Sequence, residues 1–416
     1  MSNASRILLA LILGLALGIV GASLDPALAG RVADIADPIG ALWLNALRMT
    51  IVPLVVSLLI TGIARTAEAA RAGRIARLSL TWIVTMMSLS AVLGAMLMPL
   101  FLNLFPIPTE SAAALKAALT TAPAVAAVPP FGDFIRAIIP TNPIAAASTD
   151  AILPLLIFTL VFAFALTRLP PEPRARLTEF FSALADAMLV VIEWVLKLAP
   201  IGVFALALVV GARSGVAAFG ALLHYIAAVS SVGIAIALLA YPLAVFGARL
   251  SLRKYALAIA PVQALAISTQ SSLACLPLML RKSEDLGVAE SSAGVTLPMA
   301  VALLRATGPA MNIAVALYVA NWFGVELGPA QYGVAILAAA LTSMGAVSLP
   351  GTVSFITSIA PICLAIGVPI EPLALLIAVE TLPDIFRTVG NVMHDVAVTG
   401  TVARQTETMQ SAQPNP

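Results

Sequence analysis

Residues 379–396 read VETLPDIFRTVGNVMHDV. Within them Glu380, Asp384, Arg387, Asn391 and Asp395 recur at steps of 4, 3, 4 and 4. On a helix turning about 100° per residue these five fall within a stripe roughly 80° wide, with Thr388 at its edge. Such a stripe is ordinary on a soluble helix. Here it lies in a chain of 416 residues that is 61% hydrophobic and 10% charged, with a mean hydropathy of +1.05. That composition, spread over long apolar runs, specifies a polytopic membrane protein. One acid or arginine at the bilayer centre costs about 2.5–3.5 kcal/mol on insertion scales, so several facing lipid are prohibitive. The stripe must face protein or water, and an ionisable cluster inside the membrane marks a substrate or ion site.

The rest of the composition narrows the function. A formal charge of +2 with no basic patch offers nothing to nucleic acid. No phosphate-binding glycine loop is present, so there is no sign of an ATP-driven motor. Cys275 and Cys363 lie far apart in apolar segments and make no ligand spacing with His224 or His394, so they read as small buried thiols. No metal and no cofactor is expected. Without a nucleophile–base pair or metal motif, an enzyme is not expected either.

The chain divides into apolar spans and basic links. A first run at 7–24 follows Arg6. It is long for a signal core, and Ala27–Leu28–Ala29 after it resembles a cleavage site. It is taken as the first membrane helix. A second span covers 39–63 with Pro53 inside, and a third 78–104. An Ala/Pro-rich external loop at 106–130 leads to a fourth span ending near Leu166, a long segment at 177–210 and a sixth span at 217–246. Arginine and lysine concentrate at 65–77, 168–176, 249–254 and 281–282. These are alternate links, which places both termini in the cytoplasm.

Beyond Lys254 the spacing changes. Some 26 residues separate Lys254 from Arg281, interrupted by a polar STQSS at 268–272. A single crossing would put one basic group on the wrong side, so a re-entrant hairpin with a polar tip is expected. The seventh span at 295–323 is broken by Arg305 and by Thr307–Gly308–Pro309. A second interruption, SLPGT at 348–352, splits 335–366 into a second hairpin. Two interrupted segments in corresponding positions, each followed by a helix with polar groups, point to a transporter site.

At these residues the chain resembles the dicarboxylate/amino-acid:cation symporters, the glutamate-transporter homologues. The resemblance runs through LRMTIVPLVVSLLITGIA at 47–64, IIPTNPIAAAS at 138–148, LAPIGVFAL at 198–206, STQSS and SLPGT. Its most specific part is Asp384–x–x–Arg387–Thr388–x–x–Asn391–x–x–x–Asp395. It implies an all-α polytopic fold of eight transmembrane helices and two re-entrant hairpins, assembled as a homotrimer in a bacterial-type plasma (inner) membrane. The implied division is scaffold helices at 1–77, transport-domain helix 3 at 78–105 and an external loop with scaffold helices at 106–211. Helix 6 follows at 212–254, hairpin 1 at 255–281, broken helix 7 at 295–324 and hairpin 2 at 335–367. Helix 8 with the substrate site occupies 371–404, and 405–416 is a disordered tail. The transport domain would move like an elevator, with hairpin 2 as the outer gate.

Carried over by position, Arg387 would take the side-chain carboxylate of a small anionic substrate as a bidentate fork. Asp384 would hold its amino group. Thr388 and Asn391 would complete the contacts, and Ser271, Ser272, Pro350, Gly351 and Thr352 would enclose the α-carboxylate. An acidic amino acid such as aspartate or glutamate is the expected substrate, with a C4-dicarboxylate as the alternative. Asp384 and Arg387 could instead simply neutralise each other along one helix.

One stretch departs from the pattern. Where the resemblance expects Asn-Met-Asp-Gly-Thr in helix 7, this chain has Leu304, Arg305, Ala306, Thr307 and Gly308. Met86 and Met87 stand where it expects hydroxyl ligands, leaving Asn391 and Asp395 from a sodium constellation that needs hard oxygens. Arg305 reads as a tethered cation opposite Asp395, as a second ligand for a substrate carboxylate, or as a structural or snorkelling arginine. The coupling cation is then a proton in preference to sodium, carried at Glu380, Asp384 or Asp395, since burial favours a neutral carboxyl. Uncoupled exchange and a substrate-gated anion channel of the same fold remain open.

Overall fold

The computed structural model describes residues 3–71, 73–108, 112, 136, 138–149, 151–215, 217–345 and 351–411. Among the described residues there is helix and connecting turn but no strand. Helices satisfy their own backbone polar groups, which a bilayer interior demands. By length and composition five helices can cross a membrane, or six if one bent pair is a single span. They lie in Ser5–Leu24, Pro26–Glu68, Arg74–Leu104, Phe219–Gly247 and Glu290–Phe323. This is a multi-pass membrane protein.

The first run is built into the packed fold. Helix α1 (Asn3–Leu24) is followed by α2 (Pro26–Arg71), α3 (Arg74–Leu104), the short α4 (Pro143–Ser148) and α5 (Ile152–Thr167). After them come α6 (Pro171–Lys197) and α7 (Ala199–Ser214). Helix α1 packs along α7. A Cβ on Gly14 would stand 2.6 Å from the Phe204 carbonyl oxygen, and one on Gly18 only 2.4 Å from that of Leu208. Only glycine lets these backbones touch, the usual device where no water drives helices together.

The segment expected as one run at 177–210 is bent by 54° between α6 and α7. Pro200 has no N–H with which to continue the ladder. Trp43 fills the elbow: its indole Nε1 donates to the Val195 carbonyl at 2.9 Å. Its ring lies against the bare face of Gly202, where a Cβ would come within 2.3 Å.

Helix α8 (Ala217–Leu238) continues through Ala240–Pro242 into a π-turn at Leu243–Gly247. Then α9 (Leu252–Thr269) and α10 (Ser272–Asp285) fold back on each other. Gln270 makes the turn in the left-handed region, with φ 49°. Tyr255, Ile259, Val262 and Ala266 of one arm bury with Cys275 and Met279 of the other. The arms are about 27 and 21 Å long at 1.5 Å per residue. Folding back brings Arg253 and Lys254 to the same end as Arg281 and Lys282.

The seventh segment is two helices, α11 (Glu290–Leu303) and α12 (Gly308–Phe323). Leu304 turns extended at ψ 109°, and Pro309 sits in the first turn of α12. Next, α13 (Pro329–Gly345) and α14 (Gly351–Ala365) pack together; the connecting 346–350, with Pro350, lies outside the described residues. Last come α15 (Glu371–Leu376) and α16 (Thr381–Ser411). Helix 8 is therefore not continuous. Pro383 cannot donate to the Val379 carbonyl, so Leu382 donates there instead at 3.2 Å, and residues 377–380 pass as a tight turn. One large core joins α1, α2, α5, α7, α12, α13 and α14; a second joins α9 and α10 to α16 and the end of α8.

Candidate functional site

The site forms where α16 meets two breaks, at 304–307 and at 377–380. The turn carries Glu380 to the mouth of α16, where its carbonyl accepts from the Asp384 N–H at 2.9 Å. Its side chain reaches back to Arg387. That guanidinium is 4% exposed and held at three points. Nη2 pairs with Glu380 Oε1, Nη1 donates to Asn312 Oδ1 at 2.8 Å, and Nε lies 3.3 Å from Asp384 Oδ1. The Tyr225 hydroxyl donates to the other Glu380 oxygen at 3.1 Å. A buried charge pair needs partners for its remaining hydrogen-bonding capacity; Tyr225 and Asn312 supply two, while Arg387 Nε has no hydrogen-bond partner among the described residues.

The break at 304–307 is tied to the same helix. Thr307 donates its N–H to Asn391 Oδ1 at 3.1 Å. Its hydroxyl lies 2.8 Å from both Asn391 Oδ1 and the Arg387 carbonyl. Asn391 thus holds the unwound backbone, a role the pattern did not suggest. The contact needs Gly390, because a Cβ there would come 2.3 Å from Thr307 Cγ2. Gly390→Ala should destabilise the protein by about 1–3 kcal/mol, as overpacking does, and lower uptake with it. Unchanged melting temperature and uptake would show the contact to be slack.

Arg305 is half-buried in the break. Its Nη1 lies 3.5 Å from Ser354 Oγ of α14, and no carboxylate among the described residues stands within 4.0 Å. Its charge is felt by Asp384, Asp395 and Arg387. Asp395 is 0% exposed, and neither carboxylate oxygen has a hydrogen-bond partner among the described residues. It interacts electrostatically with Tyr255, Cys275 and Arg305. Met87 packs with Leu304 and Ala306 around the break, with Met86 against them, so the surface of α3 facing the break is apolar at this level. One turn on, Ser90 Oγ accepts from the Ala310 N–H at 3.2 Å. His394 donates Nδ1–H to the Gly390 carbonyl at 3.0 Å.

Six of the expected site residues, Arg305, Glu380, Asp384, Arg387, Asn391 and Asp395, thus gather around α16 and the break. Thr388 joins its own helix, donating to the Asp384 carbonyl at 3.0 Å. Ser271 caps α10 by accepting from the Ala274 N–H at 3.3 Å, with Ser272 next to it. Neither serine is hydrogen-bonded to the arginine cluster. Gly351 and Thr352 open α14, and Pro350 lies outside the described residues. The pattern missed Tyr225, Thr307, Asn312 and Ser354. Asn312 was open to view, being an amide one turn into a mostly apolar helix.

Chemically the arrangement is a buried arginine between two carboxylates, with a second arginine across the break. Such a set offers partners to a small molecule bearing both signs of charge, or two negative ones. Residues 4–405 match the model of the sodium:dicarboxylate symporter family. The chain is 27% identical to the proton/glutamate-aspartate symporter of Escherichia coli over 411 residues, 97% of this chain and 92% of that one. It is equally identical, at 27%, to the proton/sodium-glutamate symport protein of Bacillus subtilis, covering 98% and 97% of the two chains. The C4-dicarboxylate transport protein of Rhizobium johnstonii is again 27% identical, over 90% of this chain and 84% of its own. Proteins of this kind carry a small-molecule substrate with a cation and catalyse no reaction. The chain belongs to the sodium:dicarboxylate symporter family.

Proposed function

We propose that the protein is a symporter for acidic amino acids such as aspartate and glutamate, driven by protons in preference to sodium. The observation that carries this reading is Arg387 buried between Glu380 and Asp384. The guanidinium suits a substrate carboxylate and Asp384 suits an ammonium group, about one helical turn apart. Relatives named for glutamate and aspartate support it. A second reading, a C4-dicarboxylate substrate, is favoured by Arg305, a second guanidinium with no carboxylate within 4.0 Å among the described residues. It too has named relatives. Uptake of labelled L-aspartate into proteoliposomes separates the two. Competition by unlabelled glutamate but not succinate supports the amino acid; stronger competition by succinate supports the dicarboxylate.

Coupling is assigned to Glu380. A substrate carboxylate arriving at Arg387 competes with Glu380 for the same nitrogen, and the displaced carboxyl leaves more readily as the neutral acid. Proton and substrate then travel together. Glu380→Gln should leave substrate binding measurable and remove the dependence of uptake on the proton gradient; retained proton-driven accumulation would exclude Glu380. Arg305 takes the place of a mobile cation opposite Asp395. A guanidinium tied to the chain supplies positive charge without being transported.

The rest of the architecture follows the same reading. Eight spans and two re-entrant hairpins form a scaffold and a mobile transport domain in a homotrimer of elevator type, with both termini cytoplasmic in a bacterial-type plasma membrane. Substrate-gated current without accumulation would replace coupled transport by a channel of the same fold.

A further inference from the structure

Away from the arginine cluster, a cavity of about 770 Å³ opens between α3, the end of α8 and the end of α16. Ligand pockets commonly span about 300–1,000 Å³. Helix α3 begins at this end of the molecule with Arg74 and Arg77, while α8 and α16 finish there. Part of the cavity's lining is apolar: Pro242, Leu243, Phe246, Trp82 and Met409. The rest is polar, with Arg249, Arg404, Gln405 and Thr408.

We propose that this cavity binds an anionic phospholipid, its phosphate held by Arg249 and Arg404 and its acyl chains lying along Leu243 and Phe246. Four observations support it. Among the described residues neither arginine has a carboxylate within 4.0 Å. Arg249 is held at φ 55°, a left-handed conformation that a non-glycine residue rarely adopts; it directly follows the π-turn and the residue closing it. Trp82 donates its indole N–H to Gln405 at 3.0 Å, fixing α3 to α16 at the cavity wall, and tryptophan is the side chain enriched where a membrane meets water. Phe246, in the apolar lining, is 80% exposed, so the cavity opens at the surface of the chain with an apolar side chain beside it. A free phosphate would satisfy the guanidiniums and leave that lining bare. The paired arginines and the apolar trough together fit a headgroup with its chains attached.

The test uses the purified full chain in detergent with dioleoyl phosphatidylglycerol, dioleoyl phosphatidylcholine or inorganic phosphate. Native mass spectrometry should show phosphatidylglycerol retained in preference to phosphatidylcholine, and the melting temperature should rise with phosphatidylglycerol alone. Arg249→Ala with Arg404→Ala should weaken retention roughly tenfold or more, and the double lysine variant should keep most of it. In the parent protein, phosphatidylglycerol brominated on its chains should quench tryptophan fluorescence, and Trp82→Phe should remove most of that quenching. Equal retention of phosphatidylcholine, undiminished binding by the alanine variant, quenching that ignores Trp82, or stabilisation by inorganic phosphate alone would each overturn the proposal.

Discussion

Arg387→Ala is expected to abolish concentrative uptake while the protein still reaches the membrane. The guanidinium neutralises Glu380, touches Asp384 and donates to Asn312, all in a buried site. Removing one partner of such a cluster costs about 3–5 kcal/mol, because the remaining charge is left buried and unpaired. Losing a buried charged contact to the substrate carboxylate separately costs about 2–5 kcal/mol in binding, and at about 1.4 kcal/mol per decade that is a loss of roughly one and a half to three and a half orders of magnitude in substrate affinity. Arg387→Lys separates charge from shape. An ammonium keeps the charge but cannot reach three partners in one plane, so it should recover folding without recovering substrate affinity. Uptake by the alanine variant within tenfold of the parent would mean that substrate does not meet this arginine.

Arg305→Met should cut uptake at least tenfold without impairing assembly, since among the described residues its side chain makes one hydrogen bond, to Ser354 at 3.5 Å, and no ion pair within 4.0 Å. Its two functional readings part under added sodium. If Arg305 supplies the charge opposite Asp395, the variant frees that position and sodium should restore part of the activity. If it binds a substrate carboxylate, sodium should do nothing and the KM for succinate should rise. Normal uptake by Arg305→Met would remove both.

The polar stripe was legible because charge is so costly in an apolar chain. Glu380, Asp384, Arg387, Asn391 and Asp395 stood out by spacing alone, and the breaks by Pro309 and the STQSS tip. What spacing could not give was partnership. A helical projection put Glu380 on the same helix as Arg387, whereas Pro383 ends that helix early and turns Glu380 back onto the guanidinium. Asn391 looked free for substrate, yet its oxygen meets Thr307, 84 residues away in the chain. Tyr225 comes from a helix that read as a plain apolar span. The bend at Leu198 was hidden for a similar reason: the Trp43 that fills it is remote in sequence.

One measurement tests coupling most directly. Labelled L-aspartate uptake into proteoliposomes is followed under an inward proton gradient and, separately, under an inward sodium gradient. Accumulation driven by protons and indifferent to sodium is the predicted result, with Glu380 moving the proton and Arg305 standing where a mobile cation would sit. Accumulation driven by sodium and indifferent to protons would contradict it, returning Asn391, Asp395 and backbone carbonyls of the break to the role of sodium ligands.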